Sequence, residues 1–313
     1  GEANDDIRRH VQQETSLKVY AIFEAIKRNI MSHEEIYRET KVDWWFLDRI
    51  QDLADLEKKL EDVKKGIGIL SIDLYVDAKK AGYSDDLIQT ITSLSIIGAN
   101  GVKAQKQDAL SLSGNRKLAH VNSVFKRVSY SEKNFENYHP YFYAAYDTMD
   151  EAAPCLEALK NRSPKGTILI IDSGSSLYGQ NCECDYACIL CAKTYRQMGY
   201  EVAIMNNGPW DVASDFGYAD RLYIEPVTAE DVMNVVYMEN PVGVVTVFGG
   251  EEAVNLVKFL EQQEVKILGA NAEAAFISKN LVTAQNFMTG SEFEVNLISD
   301  SKSIFIPGIM ERF

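Results

Sequence analysis

Residues 165–210 read KGTILIIDSGSSLYGQNCECDYACILCAKTYRQMGYEVAIMNNGPW, and the order of patterns within them decides the fold. Thr167 to Ile171 is a short unbroken apolar run, as expected of a strand covered on both faces. Asp172-Ser-Gly-Ser-Ser is turn-rich. Asp185 to Met198 has helical periodicity, and Glu201-Val-Ala-Ile-Met-Asn returns to a strand. A strand, a Gly/Ser loop, a helix and a second strand form the unit of an open α/β sheet.

The unit repeats downstream. Arg221 to Ile224 is a third strand. Thr228 to Met238 is a helix with Thr228 as N-cap and Asp231 at its third position. Gly243 to Phe248 is a fourth strand, Glu252 to Gln262 a helix and Val265 to Gly269 a fifth strand. Short loops between alternating strands and helices predict a parallel sheet with right-handed crossovers.

Upstream, from about Asp5 to Phe125, the pattern is helical. Leu17, Ile22, Ala25, Ile26 and Ile30 recur at roughly helical spacing. Ser32 with Glu35 three residues later is a capping box, and Asp43 and Ser84 are N-caps of further helices. Glu57 to Lys65 reads as a solvated helix. Tyr138-His-Pro-Tyr-Phe-Tyr-Ala-Ala-Tyr is an aromatic cluster whose Tyr141, Tyr143 and Tyr146 either stack on a ligand or pack between the helical and α/β regions; packing is the preferred reading. Met149 to Pro164 reads as a connector. Ser291 to Phe313 alternates loosely and is expected to form two strands around Asp300-Ser301-Lys302.

The 313 residues are enough for two domains with cores, and 46% apolar with 25% charged residues places the chain among globular proteins. A net charge of -14 argues against a nucleic acid or an anionic membrane surface as partner. No apolar run reaches the length of a membrane span, and the opening GEANDDIRRH is too polar for a signal peptide. Five cysteines, four of them clustered, fit a disulfide framework poorly, so a reducing, cytoplasmic setting is expected.

Four motifs invite chemistry. The Asp172 to Gln180 loop precedes a helix, where backbone N–H groups cradle anions, but it lacks GxGxxG spacing and a P-loop lysine, and a tight βα turn explains it as well. Cys182, Cys184, Cys188 and Cys191 have thiolate-ligand spacing, yet Cys184, Cys188 and Cys191 fall on one helical face beside Ala187 and Ala192. Core packing is preferred to a metal site, and no metal is assigned. Asn206-Asn-Gly-Pro-Trp-Asp and Phe248-Gly-Gly-Glu-Glu lie after strands, where open sheets bind ligands; Glu251 and Glu252 can serve as acid and base, but their position at a helix start favours capping. Glu292 and Glu294 share a strand face with Asp300 nearby, a possible magnesium set or a solvated face. His10, His33, His120 and His139 show no ligand spacing, and no catalytic residue is assigned.

GTILIIDSGSSLYGQNCECDYA resembles the opening of the second synthetase half of the carbamoyl phosphate synthetase large subunit, a strand followed by G-x-G-P-x-R-I-G-Q-x-x-E-F-D-Y; Gly174, Gly179, Gln180, Glu183, Asp185 and Tyr186 match. The segment from Tyr200 to Val236 resembles N-x-N-P-E-T-V-S-T-D-x-D-x-x-D-R-L-Y-F-E-P-L-T-x-E-D-V, with Asn207, Pro209, Val212, Ser214, Asp215, Asp220, Arg221, Tyr223, Glu225, Pro226, Glu230 and Asp231 matching. VGVVTVFGGEEAVNL resembles GVVVQFGGQTAxxL. TKVDWWFLDRI is similar to the T-K-I-D-x-W-F-L-x-K-I signature of the family's oligomerisation domain, and SEFEVNLISDSKSIFIPGIMERF to a piece of its ATP-grasp.

The resemblance implies an all-helical oligomerisation-type domain at 1–135, a connector at 136–164, a Rossmann-like parallel-sheet domain of the pre-ATP-grasp kind at 165–275 and an ATP-grasp remnant at 276–313. In the family this machinery is an ATP-dependent ligase. It makes carbamoyl phosphate from bicarbonate, glutamine-derived ammonia and two ATP, with magnesium, for arginine or pyrimidine synthesis. Its partners are a glutaminase small subunit and further copies of itself. By resemblance, Gly174, Gly179, Gln180, Gly249 and Gly250 line the nucleotide and carbamate site. Glu292 and Asp300 align with ATP-grasp carboxylates that in bacterial members lie near the ornithine activator.

The departures matter as much. Ser175-Ser-Leu-Tyr stands where the family has its arginine, Trp210 replaces the glutamate of N-P-E-T, and Glu251 replaces the glutamine of F-G-G-Q. Some twenty residues lead from Gly269-Ala-Asn-Ala to Glu292, so most of an ATP-grasp is absent between them. The expectation is a fragment or divergent homologue that does not turn over alone. The alternative is a non-catalytic assembly module that associates through its helices; a metal or redox module built on the cysteines is a third reading.

Overall fold

The computed structural model describes residues 2–15, 17–67, 70–93, 123–128, 140–159, 165–172, 182–208, 211–215, 217–269, 271–274, 292–295, 298–299 and 302–312. It is an α/β protein. Among the described residues six helices come first: α1 (Glu2–Gln12), α2 (Lys18–Lys27), α3 (His33–Thr40), α4 (Trp44–Lys64), α5 (Ile72–Lys80) and α6 (Asp85–Thr92). The starts of α3 to α6 are set by side chains that satisfy orphan N–H groups. Ser32 and Glu35 form the reciprocal capping box, and Asp43, Ser71 and Ser84 cap α4, α5 and α6. Ile22, Ala25 and Ile26 of α2 pack with Ile36 and Leu47, while Leu56 and Leu60 pack with Tyr75 and Ile88.

The Glu57 to Lys65 stretch is less solvated than its charges suggest. Leu60 is fully buried, and Lys27 Nζ lies 2.5 Å from Glu57 and 2.6 Å from Glu61. The acids are there to meet the lysine of a neighbouring helix.

A seven-stranded sheet follows, built from β1 (Val124–Arg127), β2 (Tyr141–Ala145), β3 (Thr167–Asp172), β4 (Glu201–Asn206), β5 (Arg221–Ile224), β6 (Gly243–Val245) and β7 (Ile267–Leu268). Its order is β1-β2-β5-β4-β3-β6-β7. All pairs are parallel except β1 with β2. The intervening helices are α7 (Ala152–Leu159), α8 (Cys182–Gln197), α9 (Ala229–Glu239) and α10 (Gly250–Gln262).

Side chains alternate between two cores. Ile168 and Ile170 join Val202, Ile204 and Leu222 against α8, whereas Leu169 and Ile171 join Met205 and Tyr223 against α9 and α10. Both faces are covered, which is why these strands read as unbroken apolar runs.

The edge of the sheet differs from the sequence expectation. Val124–Arg127 lies in the stretch read as helical and Tyr141–Ala145 in the stretch read as a connector, yet the two form an antiparallel pair that docks on β5. Aromatic packing holds them there. Phe125 and Phe142 are buried with ring centroids 5.0 and 5.5 Å from that of Tyr223. Four and five residues are too few for a period-two pattern to stand out, and α7 adds a helix within the expected connector.

The described residues of the last segment form four short strands rather than two: β8 (Glu292–Val295), β9 (Ile298–Ser299), β10 (Ile304–Phe305) and β11 (Ile309–Arg312). β8 pairs with β11 and β9 with β10, both antiparallel. Ile304, Phe305, Ile309 and Met310 are exposed. Among the described residues, no helix is long and apolar enough to cross a membrane.

Candidate functional site

Five consecutive parallel strands run in the spatial order β5-β4-β3-β6-β7, so chain direction across the sheet reverses between β3 and β6. The carboxyl ends at such a reversal form the crevice where open α/β sheets take ligands. Here that edge carries Asp172 at the end of β3, Asn206 at the end of β4, Glu225 just past β5, and the Gly249–Gly250 turn between β6 and α10.

Asp172 and Asn206 are both buried, and Asn206 Nδ2 donates to Asp172 Oδ2 at 3.3 Å. Asn206 Oδ1 in turn accepts from the Gly208 N–H at 2.8 Å, and its backbone carbonyl accepts from the Glu225 N–H at 3.0 Å. One asparagine thereby ties together the exits of two strands. Cys188 on α8 lies beneath Asp172. Burial, then the charge of Asp172, pushes its thiol far up from the ordinary range, so it is not a thiolate.

Gly249 is the N-cap of α10. A Cβ placed there would lie 2.3 Å from Ala253 Cβ and 3.0 Å from the Ile171 carbonyl oxygen, so the turn passes too close to β3 for any side chain. Gly250 has φ +60°, in the left-handed region that glycine occupies at little cost. Glu251 and Glu252 follow in the first turn of α10.

A cleft of about 600 Å³ opens at this edge, lined by Asn207, Glu225, Thr228, Glu252, Asn255 and Leu256 among others. Thr228 caps α9: its hydroxyl accepts from the Asp231 N–H at 3.1 Å and donates to the Asp231 carboxylate at 2.6 Å. Glu225 is only 6% exposed, and its Oε1 accepts from the Ala144 N–H of β2. Burial pushes its carboxyl up to about 7, opposed by the Ala144 hydrogen bond.

The sign of the pH effect follows. The folded chain holds a proton on Glu225 through a window, from about 4.5 to about 7, in which the unfolded chain releases it, so this group's contribution to stability falls as pH rises across that window. Glu225→Gln keeps an acceptor for the Ala144 N–H. Urea midpoints measured between pH 5 and 8 are expected to show a shallower decline in this variant than in the parent; identical profiles would refute the assignment.

Of the residues singled out from sequence, Gly249 and Gly250 lie at the sheet's point of reversal. Gly174, Gly179, Gln180 and Asp300 lie outside the described residues. Glu292 is in β8, with its side chain outside the described part. Cys188 is buried beside Ile189 and Ala192, with Cys191 packed against the same core, so that helix face is an apolar contact with the sheet.

Asp172 and Asn206 open the two loops flagged from sequence and Glu225 is among the family matches, but that all three are buried polar groups was not foreseen. The available signal was a polar residue closing an apolar strand run, as in TILIID, EVAIMN and RLYIE.

Parallel strands around a glycine turn, with a cleft at their carboxyl edge, define an open α/β domain, and among the described residues six helices, four of them started by side-chain caps, precede it. Residues 164–276 match the family described as carbamoyl phosphate synthase preATP-grasp domain, and residues 1–109 match the carbamoyl-phosphate synthetase large chain, oligomerisation domain. The chain is 32% identical over 273 residues to the carbamoyl phosphate synthase large chain of Agathobacter rectalis, an alignment that takes in 87% of this chain and 23% of that protein. By sequence the chain is a relative of the carbamoyl phosphate synthase large chain, and it spans less than a quarter of that relative's length.

Proposed function

We propose that this chain is a divergent counterpart, or a fragment, of the carbamoyl phosphate synthase large chain, that it keeps the family's ligand-facing sheet edge, and that it does not turn over by itself. The observation that carries this reading is the chemistry of that edge. Asp172, Glu225, Glu251 and Glu252 gather there, and none of the described residues lining the cleft is a lysine or arginine. Phosphoryl transfer rests on cationic groups and magnesium that neutralise charge on the moving phosphoryl group. The short passage from Ala270 to Glu292 leaves no room for the phosphate-covering domain that supplies them in the family. Gly249 and Gly250, with Gly174, Gly179 and Gln180, are then the loop positions that face the nucleotide or carbamate, while Glu292 and Asp300 belong to the ATP-grasp remnant.

Isothermal titration of the chain with Mg·ATP, paired with an ATPase assay in the presence of bicarbonate and ammonia, tests the reading. Weak or no binding with no turnover is expected. Tight binding accompanied by ATP hydrolysis would overturn it.

A second reading is favoured by the helical segment and its match to an oligomerisation domain. Tyr20 on α2 and Trp44, Trp45 and Phe46 at the start of α4 are exposed aromatic side chains of the kind that serve association with further copies of the chain. The helical segment is then the assembly unit, and a glutaminase subunit is a partner of the family enzyme rather than a need of this chain. Light scattering is expected to give a mass that rises with concentration, and a constant monomer mass would count against this reading. The cytoplasm is the proposed setting.

A further inference from the structure

Lys79 on α5 is 0% exposed, and its ammonium sits among groups from two distant parts of the chain. Two partners are local: the Tyr83 carbonyl at 2.9 Å and Asp85 Oδ1 at 3.2 Å. The third is Glu230, in the first turn of α9, whose Oε1 is 2.5 Å away. The Tyr146 ring, just past β2, lies against the same ammonium with its centroid at 5.1 Å. Glu230 is itself shared: Oε2 accepts from the Asp85 backbone N–H at 2.9 Å, and Oε1 accepts from the Tyr146 hydroxyl at 2.6 Å.

We propose that Lys79 is the pin of a clamp that joins the helical segment and the sheet into one cooperative body and fixes the start of α9 beside the cleft. An ammonium has three donors, and the local chain satisfies only two of them. Asp85 and Glu230 both face that ammonium, so withdrawing it leaves two acids close together in a largely buried place. Separating the two segments leaves Glu230 without its cation, and a buried pair broken on one side is strongly destabilised. Glu230 follows Thr228, a lining residue of the cleft, by two positions. A shift in the helical segment is therefore felt at the cleft wall, and a shift of α9 is felt at α6, whose first N–H Glu230 accepts.

The test is native-state hydrogen exchange and thermal unfolding on the full chain. In Lys79→Met, exchange at the Asp231 and Val232 amides of α9 is expected to rise by about 100-fold or more, and a single unfolding transition is expected to split in two. Glu230→Gln touches the helical segment through Lys79 and the Asp85 N–H, and it is expected to speed exchange of the Leu87 and Ile88 amides in α6. Lys79→Arg keeps the charge and should retain most of the protection in α9. The clamp is overturned if Lys79→Met speeds exchange only within α5 and α6, or if Glu230→Gln speeds it only within α9. Should Lys79→Met not fold, the Glu230→Gln result decides alone.

Discussion

Replacing Arg221 by methionine is expected to lower folding stability by about 3–5 kcal/mol. Arg221 opens β5 at the end of the sheet opposite the cleft and is only 2% exposed. Its guanidinium grips Glu239 with two bonds, Nε to Oε1 at 2.7 Å and Nη2 to Oε2 at 3.0 Å. Nη1 reaches Glu201 at the start of β4 at 2.5 Å, and Nη2 reaches the Thr167 hydroxyl at the start of β3 at 3.0 Å. The Tyr223 hydroxyl donates to the same Glu239 at 2.6 Å.

One planar cation thus ties three strand starts to the end of α9, a geometry a lysine cannot reproduce. Burial opposes the charge on Arg221, but Glu239 and Glu201 outweigh it and hold the guanidinium's pKa above its ordinary value. Methionine leaves Glu239 buried at a helix C-terminus, where the helix dipole also disfavours an anion. Urea denaturation with an unchanged m-value is the measurement. A loss below about 1 kcal/mol would mean that water reaches Glu239 and replaces the arginine. Arg221→Met combined with Glu239→Leu should recover much of the loss, because an apolar pair no longer strands a charge.

Gly249→Ala is expected to cost about 1–3 kcal/mol through overpacking and to disturb the point where the sheet reverses direction. The reason is steric rather than conformational, since φ of -83° at Gly249 suits any residue. The new methyl would meet Ala253 Cβ at 2.3 Å and the Ile171 carbonyl at 3.0 Å, and neither neighbour has a flexible end to swing aside. The start of α10 must move away from β3, carrying Glu252 and Asn255 of the cleft wall with it. Thermal denaturation measures the first effect, and the paired variant Gly249→Ala with Ala253→Gly, which removes the closest obstacle, should regain part of it. An unchanged midpoint in Gly249→Ala would show that the turn has room the geometry denies.

The sheet's parallel strands were legible because both faces are covered, which writes them as unbroken apolar runs such as TILII and VAIM. The caps were legible for a local reason: Ser32, Asp43, Ser84 and Thr228 act on backbone groups within three residues. The docking of the β1–β2 pair on β5 was not, because Phe142 of β2 and its partner Tyr223 of β5 are 81 residues apart and the two edge strands are too short to show a period. The candidate site was half legible. Glycines at the β6–α10 turn announce themselves, whereas a carboxylate such as Glu225 is unusual only once the burial around it is known.

The borrowed edge also bears on where this chain can be cut. The preATP-grasp match starts at residue 164, but the sheet it describes is completed by strands at 124–127 and 141–145. Excising the matched span alone would strip the far side of β5, leaving its backbone N–H and C=O groups unpaired and uncovering the aromatic ring of Tyr223. A raw strand margin of that kind is a template for fibrils. The boundary of inheritance and the edge of the sheet therefore differ by about forty residues, and a piece cut at residue 164 is expected to aggregate where one that starts ahead of Val124 stays dispersed.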